Sequence, residues 1–337
     1  MYFWFDLENA PDVLFFEPIY KKLKNKNHEV YVTCRDYARV PELAKIYGME
    51  AQTVGVYGGK AMIMKYLVGV SRSLKLGAYS LRKKIDLAVG FGSRPLALTC
   101  KMLGIRNASV IDYEHVAVTE LNKFCDFVYV PDLVSLECFI DKGLKKKKLR
   151  TFPGLKEDVY VSSYKNSGKE LYRRADKINV LIRPSASTAH YHNQKSEIIL
   201  KGILGRIMAN KDVNAVLLER RRSDVYKVYM DRNIKVLEKP AKGLDLIQES
   251  DVVISGGGTM VREAAVMGVP SYSIFTGELG VLDKKLAEEG RVHLIREPED
   301  IGKIRFEKIK SHKLSQRADP HTLEFFVNEF VKLAQKQ

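Results

Sequence analysis

Short apolar runs alternate with amphipathic helical segments along the first half of the chain. The apolar runs predict strands at residues 2–5, 29–34, 51–54, 86–91, 108–113 and 127–131. Helical patterns between them cover residues 11–26, 40–48, 60–84 and 95–103. Runs such as LAVGF and ASVID are apolar without alternation, which is typical of strands buried on both faces of a parallel sheet.

A polar stretch at residues 161–177 interrupts this pattern, and the alternation then resumes. The second half predicts strands at 179–184, 214–219, 234–237, 252–254, 271–274 and 292–295. Its predicted helices cover 194–208, 224–231, 244–249, 259–267, 282–288, 299–308 and 322–336. Alternating strands and helices predict parallel sheets. We therefore expect two doubly wound α/β domains, at residues 1–160 and 178–318, with the C-terminal helix of residues 319–337 packing back on the first.

The composition narrows the class of protein. A length of 337 residues fits two domains, and the four cysteines lie far apart without a CxxC pair, which argues against a zinc or redox site. The net charge of +15 favours an anionic partner: a phosphorylated substrate, an anionic lipid surface or nucleic acid. With no secretory signal and no membrane-spanning apolar run, the expected location is the cytoplasm, either free or peripheral to a membrane.

The strongest chemical signal is the segment DVVISGGGTMVREAAVMGVP at residues 251–270. An apolar strand leads into a turn made of Ser255, Gly256, Gly257, Gly258 and Thr259. Such a turn lets a ligand approach the backbone, and the start of the following helix suits a phosphate. Glu263 lies about one turn into that helix; a purely structural glycine turn is the alternative. Val261 stands where a dinucleotide-binding GxGxxG pattern needs its third glycine.

Polar residues also follow the first predicted strand of each domain, where ligands of open parallel sheets bind. These residues are Asp6, Glu8 and Asn9 in the first domain and Arg183, Ser185, Ser187, Thr188 and His190 in the second. The arginine and the hydroxyls are groups that can clamp a diphosphate. Helix capping by Asn9 and an ordinary polar loop in the second domain are the alternatives.

Acid/base candidates follow the fifth strand of the first domain. Asp112, Glu114 and His115 put carboxylates beside an imidazole, a combination suited to proton transfer, and Glu120 comes shortly after. The alternative for His115 is a structural hydrogen bond.

The segment at residues 60–84 has apolar residues at helical spacing, interleaved with Lys65, Arg72, Lys75, Arg82, Lys83 and Lys84. A basic amphipathic helix of this kind can lie on an anionic membrane surface. A helix that covers the sheet and keeps its basic face in water is the alternative.

The glycine segment resembles the nucleotide-binding segment of GT-B sugar-nucleotide enzymes. These include the UDP-N-acetylglucosamine 2-epimerases and the N-acetylglucosaminyltransferase that makes the peptidoglycan lipid precursor. The resemblance implies that Gly257, Gly258 and Thr259 meet the diphosphate and that Glu263 binds the ribose. Through residues 5–19, 109–123 and 183–192, the whole chain resembles an uncharacterised archaeal and bacterial family described only as a domain of unknown function. It implies a GT-B architecture: two Rossmann-like domains with a cleft between them.

The epimerase resemblance extends to the acid/base candidates but has a gap. Glu114 matches a glutamate after the same strand, and Glu120 precedes Asn122 and Lys123 where the epimerases carry an acid before an Asn-Arg pair. The epimerases also have an aspartate in a Gly-Asp loop after the preceding strand. This chain has FGSRP there, with Ser93 and Arg94, and the missing acid speaks against epimerisation.

The expected function is therefore metal-independent glycosyl transfer from a nucleotide sugar, with UDP-HexNAc as the expected donor and no cofactor. The acceptor is a membrane-associated or lipid-linked molecule if the basic helix binds lipid. UDP-sugar 2-epimerisation, with Glu114, Glu120 and His190 as acid/base candidates, is the second hypothesis. Nucleic-acid binding ranks third, because net charge is its only support.

Overall fold

The computed structural model describes residues 1–59, 61–166, 168, 170–185, 194–219, 226–230, 233–237, 241–309 and 318–335. The chain divides into two compact units. The first unit consists of Met1–Ser163 and Asp319–Gln337, and the second of Tyr164–Ala318.

Strands and helices alternate through both units. The strands are β1 (Tyr2–Leu7), β2 (Glu29–Asp36), β3 (Ala51–Val56), β4 (Leu87–Phe91), β5 (Asn107–Val110), β6 (Phe127–Pro131), β7 (Leu149–Phe152), β8 (Ile178–Arg183), β9 (Val213–Leu218), β10 (Ile234–Leu237), β11 (Val252–Ser255), β12 (Ser271–Ser273) and β13 (His293–Leu294). The helices are α1 (Ala10–Asn25), α2 (Val40–Ile46), α3 (Met62–Ser80), α4 (Arg94–Leu103), α5 (Thr119–Phe124), α6 (Glu137–Ile140), α7 (Asp158–Val161), α8 (Gln194–Ala209), α9 (Gly243–Gln248), α10 (Gly258–Met267), α11 (Val281–Glu288) and α12 (His321–Gln335).

Each unit contains one sheet, and every strand pair in the described residues is parallel. The strand order is β3-β2-β1-β4-β5-β6-β7 in the first unit and β10-β9-β8-β11-β12-β13 in the second. The prediction of two doubly wound α/β sheets is confirmed. The chain changes direction across the sheet between β1 and β4 and again between β8 and β11. Such switch points are where open parallel sheets bind ligands.

Aromatic side chains dominate the core of the first unit. Phe3, Trp4 and Phe5 on β1 are fully buried, as a central strand covered on both faces requires. On α12, Phe326 lies 5.0 Å from the ring of Phe15 and 5.0 Å from that of Phe152, measured between ring centroids. The C-terminal helix is thus an integral part of this unit.

The core of the second unit is aliphatic. Helix α8 buries Ile199, Ile203, Leu204 and Ile207, whose spacing puts them on one helical face against the sheet. Within the polar stretch between the two halves, the backbone N–H groups of residues 171–173 donate to the carboxylate of Glu249, so this part is fixed to the second unit.

Several predicted elements were wrong. The predicted helix at 299–308 is only a 3₁₀ turn, Pro298–Lys303, followed by irregular backbone, and Gly302 disfavours a longer helix. The predicted helix at 224–231 falls partly outside the described residues, and a 3₁₀ turn covers Lys227–Tyr229. Strand β5 ends at Val110 rather than at 113, and β7 was not predicted. In the described part of the chain, no helix has both the length and the apolar character needed to cross a membrane.

Candidate functional site

The glycine turn of the second unit lies at its switch point, directly after β11. The Gly257 N–H donates to Ser255 Oγ over 3.1 Å, and the Gly256 N–H donates to the carbonyl oxygen of Arg183 over 2.9 Å. A Cβ atom on Gly256 would lie 2.7 Å from both the N and Cα atoms of Ser185. Glycine is therefore required at position 256 because the loops after β8 and β11 touch there.

Helix α10 begins immediately after this turn. Its first N–H groups have no acceptor within the helix, because an acceptor four residues earlier is missing. Thr259 is partly exposed in the first turn, whereas Glu263 is only 3% exposed. The carboxylate predicted to bind a ribose is thus a buried group one turn below the helix start.

An ion pair that was not predicted from the sequence links the N-terminal halves of α10 and α11. Arg262 Nη1 lies 3.0 Å from Asp283 Oδ1, which belongs to the first turn of α11. A Cβ atom on Gly258 would lie 2.9 Å from Arg262 Nη1, so the guanidinium packs directly against the glycine. The only sequence signal was an arginine inside the glycine motif, and its partner lies 21 residues further on.

The loop after β8 carries the other predicted ligand-binding residues of this unit. Arg183 is the last residue of β8 and is partly buried, and Ser185 contacts the glycine turn as described. His190 lies outside the described residues.

Asp6, at the carboxyl end of β1, is at the switch point of the first unit and is completely buried. Its Oδ1 accepts hydrogen bonds from Arg72 Nη2 (2.7 Å) and Thr33 Oγ1 (2.7 Å). Its Oδ2 accepts from Arg72 Nη1 (2.9 Å) and Ser93 Oγ (2.6 Å). Burial alone would raise the pKa of this carboxyl, but the charge of Arg72 and these hydrogen bonds outweigh burial and hold the pKa below its ordinary value.

Arg72 on α3 joins Asp6 to Glu8. Its Nη1 also donates to Glu8 Oε1 (3.0 Å), and its Nε donates to the carbonyl oxygen of Val54 (2.9 Å). Burial lowers the pKa of Arg72, but the charges of Asp6 and Glu8 outweigh it and raise that pKa above its ordinary value. The sequence analysis grouped Arg72 with the basic face of an amphipathic helix, which would meet either a membrane surface or water. This was wrong, because the side chain is 2% exposed and serves the buried network.

Asn9 is exposed and precedes α1. Its Oδ1 accepts from Arg35 Nη2 over 3.2 Å. The Asp12 carboxylate accepts the backbone N–H groups of Glu8 (2.8 Å) and Asn9 (2.9 Å), which fixes the loop after β1. Burial raises the pKa of Asp12 to about 7 despite these two hydrogen bonds.

The loop after β5 contributes to two close contacts between ionisable side chains. Glu114 Oε1 lies 3.4 Å from His115 Nε2, with the glutamate buried and the imidazole partly exposed. Asp112 pairs with Lys156, whose Nζ is also 3.5 Å from Glu157 Oε1. Lys156 was not predicted as a site residue, because it follows β7, a strand that the sequence analysis missed.

Glu120 lies on α5, apart from the loop that carries Glu114. Its Oε2 is 3.6 Å from Arg94 Nε, and both side chains are about half exposed. An exposed pair of this kind contributes little to stability.

The chain is similar to known proteins in both sequence and fold. An uncharacterized protein of Methanocaldococcus jannaschii is 26% identical over 300 residues, which are 86% of this chain and 86% of that protein. The solved structure of the UDP-GlcNAc 2-epimerase of the same organism, in complex with UDP-GlcNAc and UDP, has a TM-score of 0.73 at 15% identity, over 98% of this chain and 100% of that one.

A spinosyn rhamnosyltransferase complexed with spinosyn aglycone has a TM-score of 0.59 at 12% identity, over 99% of this chain and 95% of that one. At such identities the likeness shows the fold, two Rossmann-like domains as in GT-B enzymes, and the predicted fold class is confirmed. The predicted resemblance to a family spanning nearly the whole chain is also confirmed, since residues 1–332 match one family. The chain belongs to the family described as "Protein of unknown function (DUF354)".

Proposed function

We propose that this chain is a sugar-nucleotide enzyme, and that its reaction is metal-independent glycosyl transfer from a UDP-linked sugar. One observation carries the proposal. At the switch point of the second unit, the loops after β8 and β11 touch through Gly256, immediately before the start of α10. This is the position at which doubly wound sheets bind ligands, and the helix start favours a phosphate.

In the proposed complex, Gly257, Gly258 and Thr259 bind the diphosphate and Glu263 accepts hydrogen bonds from the ribose hydroxyls. Arg183 adds a positive charge from the end of the neighbouring strand β8. The Arg262–Asp283 pair does not bind substrate but fixes the start of α10. When the bond between the sugar and UDP breaks, the helix start and Arg183 stabilise the negative charge on the leaving diphosphate.

The first unit supplies acid/base chemistry in this proposal. His115 lies 3.4 Å from Glu114, so one of the two can remove the proton of an acceptor hydroxyl while the other stabilises the charge that results. The deprotonated oxygen then attacks the anomeric carbon of the sugar, and UDP leaves. Asp6 holds Arg72 and Ser93 in place and makes no contact with substrate in this scheme.

A thermal-shift screen with UDP, UDP-N-acetylglucosamine and other nucleotides tests the nucleotide site. A ligand at 100 times its Kd should stabilise the chain by about 2.7 kcal/mol. Glu263→Ala should lose this stabilisation. The matched control is Glu288→Ala, which removes an exposed glutamate of the neighbouring helix α11 and should keep it. The proposal fails if no nucleotide stabilises the unaltered chain, or if Glu263→Ala responds as the control does.

Epimerisation of a UDP-sugar is the second candidate. The epimerase structure aligns with a TM-score of 0.73, compared with 0.59 for the rhamnosyltransferase. Incubation with UDP-N-acetylglucosamine in heavy water separates the two reactions, because elimination and re-addition of UDP exchange the C2 hydrogen. Deuterium at C2 would establish epimerisation, and UDP release that depends on an acceptor would establish transfer.

We further propose that the chain works in the cytoplasm and meets its acceptor at an anionic membrane surface through the start of α3. Four large apolar side chains are exposed there: Ile63 (75%), Met64 (50%), Tyr66 (73%) and Leu67 (54%). Dense exposed apolar groups of this kind are typical of helices that lie in a membrane interface.

Co-sedimentation with phosphatidylglycerol vesicles tests the membrane contact. Ile63→Ser with Leu67→Ser should abolish binding. The control is Ile198→Ser, which removes a side chain that is 50% exposed in the second unit and should bind as the unaltered chain does. Equal binding of all three proteins, or equal binding to neutral phosphatidylcholine vesicles, would rule out this surface.

A further inference from the structure

A cationic and aromatic cluster stands at the carboxyl edge of the first sheet, outside the groups used above. The rings of Tyr37 and Tyr57 are stacked, with centroids 4.3 Å apart and an interplanar angle of 26°. The guanidinium carbon of Arg35 lies 4.8 Å from the Tyr37 centroid and 5.4 Å from the Tyr57 centroid. We call Arg35, Tyr37 and Tyr57 the Arg35 platform.

The backbone next to the Arg35 platform is irregular. The β2–β3 register shifts between Cys34 and Asp36, and such an irregularity turns the end of β2 toward a new direction. Ala38 and Arg39 then follow with φ values of 48° and 62°, two successive non-glycine residues in the left-handed region. Conformations of this kind persist only where the surrounding structure enforces them, and they concentrate at ligand-binding sites.

Neutral groups hold Arg35 in place, and no ion pair joins it to a carboxylate among the described residues, although its charge opposes the rise in the pKa of the buried Asp12 carboxyl. Its Nε donates to the carbonyl oxygen of Glu8 (3.1 Å), and its Nη2 donates to Asn9 Oδ1 (3.2 Å). These neutral acceptors engage two of its five N–H groups in the described part of the chain. The result is a fixed positive charge with spare donors, next to the loop at the switch point of the unit.

We infer that the Arg35 platform is a subsite for an acidic sugar, whose ring lies on the tyrosines and whose oxyanion binds the guanidinium. Arginine presents paired N–H groups that fit a carboxylate or phosphate, and a tyrosine face offers an apolar surface to a pyranose ring. The platform lies in the first unit and the nucleotide motif lies in the second. The inference rests on the proposed transfer function and gives its acceptor a class: a saccharide that carries a carboxylate or a phosphate.

Calorimetric titration of the full-length chain with four probes tests the subsite. The probes are D-glucuronate, D-glucose 1-phosphate, D-glucose and methyl glucoside, each titrated with UDP present. The acidic sugars should bind and the neutral ones should bind at least tenfold more weakly. Preference for glucuronate indicates a uronic acid acceptor, and preference for the 1-phosphate indicates a phosphate-linked one.

Variants separate the platform from general electrostatics. Arg35→Gln should weaken binding of the preferred acidic sugar about tenfold or more, since charge-assisted hydrogen bonds are lost. Arg35→Lys should fall between, because it keeps the charge and loses the planar fork. Lys45→Gln removes one exposed charge from α2 and should change nothing. Arg35→Gln could also lower the melting temperature of the chain. In that case Tyr57→Leu, which keeps the charge of Arg35, should still weaken binding of the preferred acidic sugar.

Four results would overturn the inference. These are equal affinity for acidic and neutral sugars, no binding of either acidic sugar, an Arg35→Gln affinity equal to the parent's, and an equal loss in Lys45→Gln. The proposed nucleotide function is judged separately from the melting shift with UDP, which Arg35→Gln should leave intact. A chain that shows no UDP shift but binds acidic sugars through Arg35 would refute the function and keep the subsite.

Discussion

Replacing Arg72 with methionine tests whether the buried network at the edge of the first sheet organises that unit. The guanidinium makes four hydrogen bonds: two to Asp6, one to Glu8 and one to the Val54 carbonyl oxygen. Methionine fills part of the volume but removes the charge. Asp6 would then be a completely buried carboxylate with only the hydroxyls of Thr33 and Ser93 as donors.

The expected cost is large because the remaining charge cannot reach water. Removing one partner of a buried ion pair typically costs about 3 to 5 kcal/mol. The sign of the pH dependence should also reverse. In the parent the pKa of Asp6 is lowered, so its contribution is complete at neutral pH and is lost as the pH falls below about 4. In Arg72→Met, burial dominates and raises the pKa of Asp6, so stability should increase as the pH falls from 7.

The single tryptophan provides the assay. Trp4 Nε1 donates to Thr33 Oγ1 over 3.0 Å, and Thr33 donates to Asp6, so the indole reports on this unit and on this network. Urea unfolding followed by Trp4 fluorescence gives the free energy of unfolding of the unit. The control is Arg82→Met, an exposed arginine just after α3, which should change stability by less than about 0.5 kcal/mol.

A double-mutant cycle tests whether Arg72→Met lowers the free energy of unfolding because it leaves the Asp6 carboxylate buried and unpaired. Asp6→Asn combined with Arg72→Met removes both charges, and this double variant should be more stable than Arg72→Met alone. The reasoning is refuted if Arg72→Met costs less than about 1 kcal/mol, or if the two substitutions simply add.

Three further predictions follow from the packing and the pKa values. Gly256→Ala should destabilise the second unit by about 1 to 3 kcal/mol in a calorimetric melt, because its Cβ would overlap the backbone of Ser185, whereas Gly205→Ala, with open space around it on α8, should stabilise by about 0.5 to 1 kcal/mol. Phe326→Ala should cost about 3 to 5 kcal/mol in the Trp4 assay, since it empties the aromatic contact of α12; a loss under about 1 kcal/mol would contradict that packing. The folded state keeps the proton of Asp12 up to about pH 7 while the unfolded state releases it near 3.8, so the parent loses stability as pH rises through that window. The free energy of unfolding of Asp12→Asn should therefore rise relative to that of the parent by about 1 kcal/mol or more between pH 4 and 7. Parallel profiles of unfolding free energy against pH for the two proteins would contradict this.

Strands buried on both faces could be predicted from the sequence. Each forms a continuous apolar run that can be recognised without knowing which strands lie next to it. The apolar run at residues 86–91 predicts β4, which begins one residue later in the structure, at Leu87, and ends at Phe91 as predicted. Strand β7, LRTF, lies at the edge of its sheet with two exposed residues in the middle, so its pattern does not differ from that of a loop. Lys156 was missed for the same reason, since a residue after an unrecognised strand cannot be assigned to the carboxyl edge.

Ion pairs between distant segments were beyond the reach of the sequence. Helical periodicity put Arg72 on an amphipathic helix, but it cannot identify which cation turns inward to meet an aspartate 66 residues earlier. The glycine motif, by contrast, could be predicted because its strand, turn and helix are contiguous in the sequence. The sequence does not show why position 256 requires glycine, because the residue that a side chain there would overlap, Ser185, belongs to another loop.

The acid missing from the loop after β4 bears on the choice of reaction. Two carboxylates from β1 and its loop lie beside Ser93, with Oγ–O distances of 2.6 Å to Asp6 and 3.4 Å to Glu8. Asp6 is held ionised by Arg72 and is fully hydrogen bonded, so it cannot donate a proton near neutral pH. Glu8 is bound to the same guanidinium. In the proposed mechanism, proton transfer therefore falls to Glu114 and His115, a pair that suffices for glycosyl transfer because that reaction needs one base. Epimerisation needs proton removal and return on opposite faces of C2, and among the described residues the network of Asp6, Glu8 and Arg72 supplies no proton-transferring group for the second of these steps.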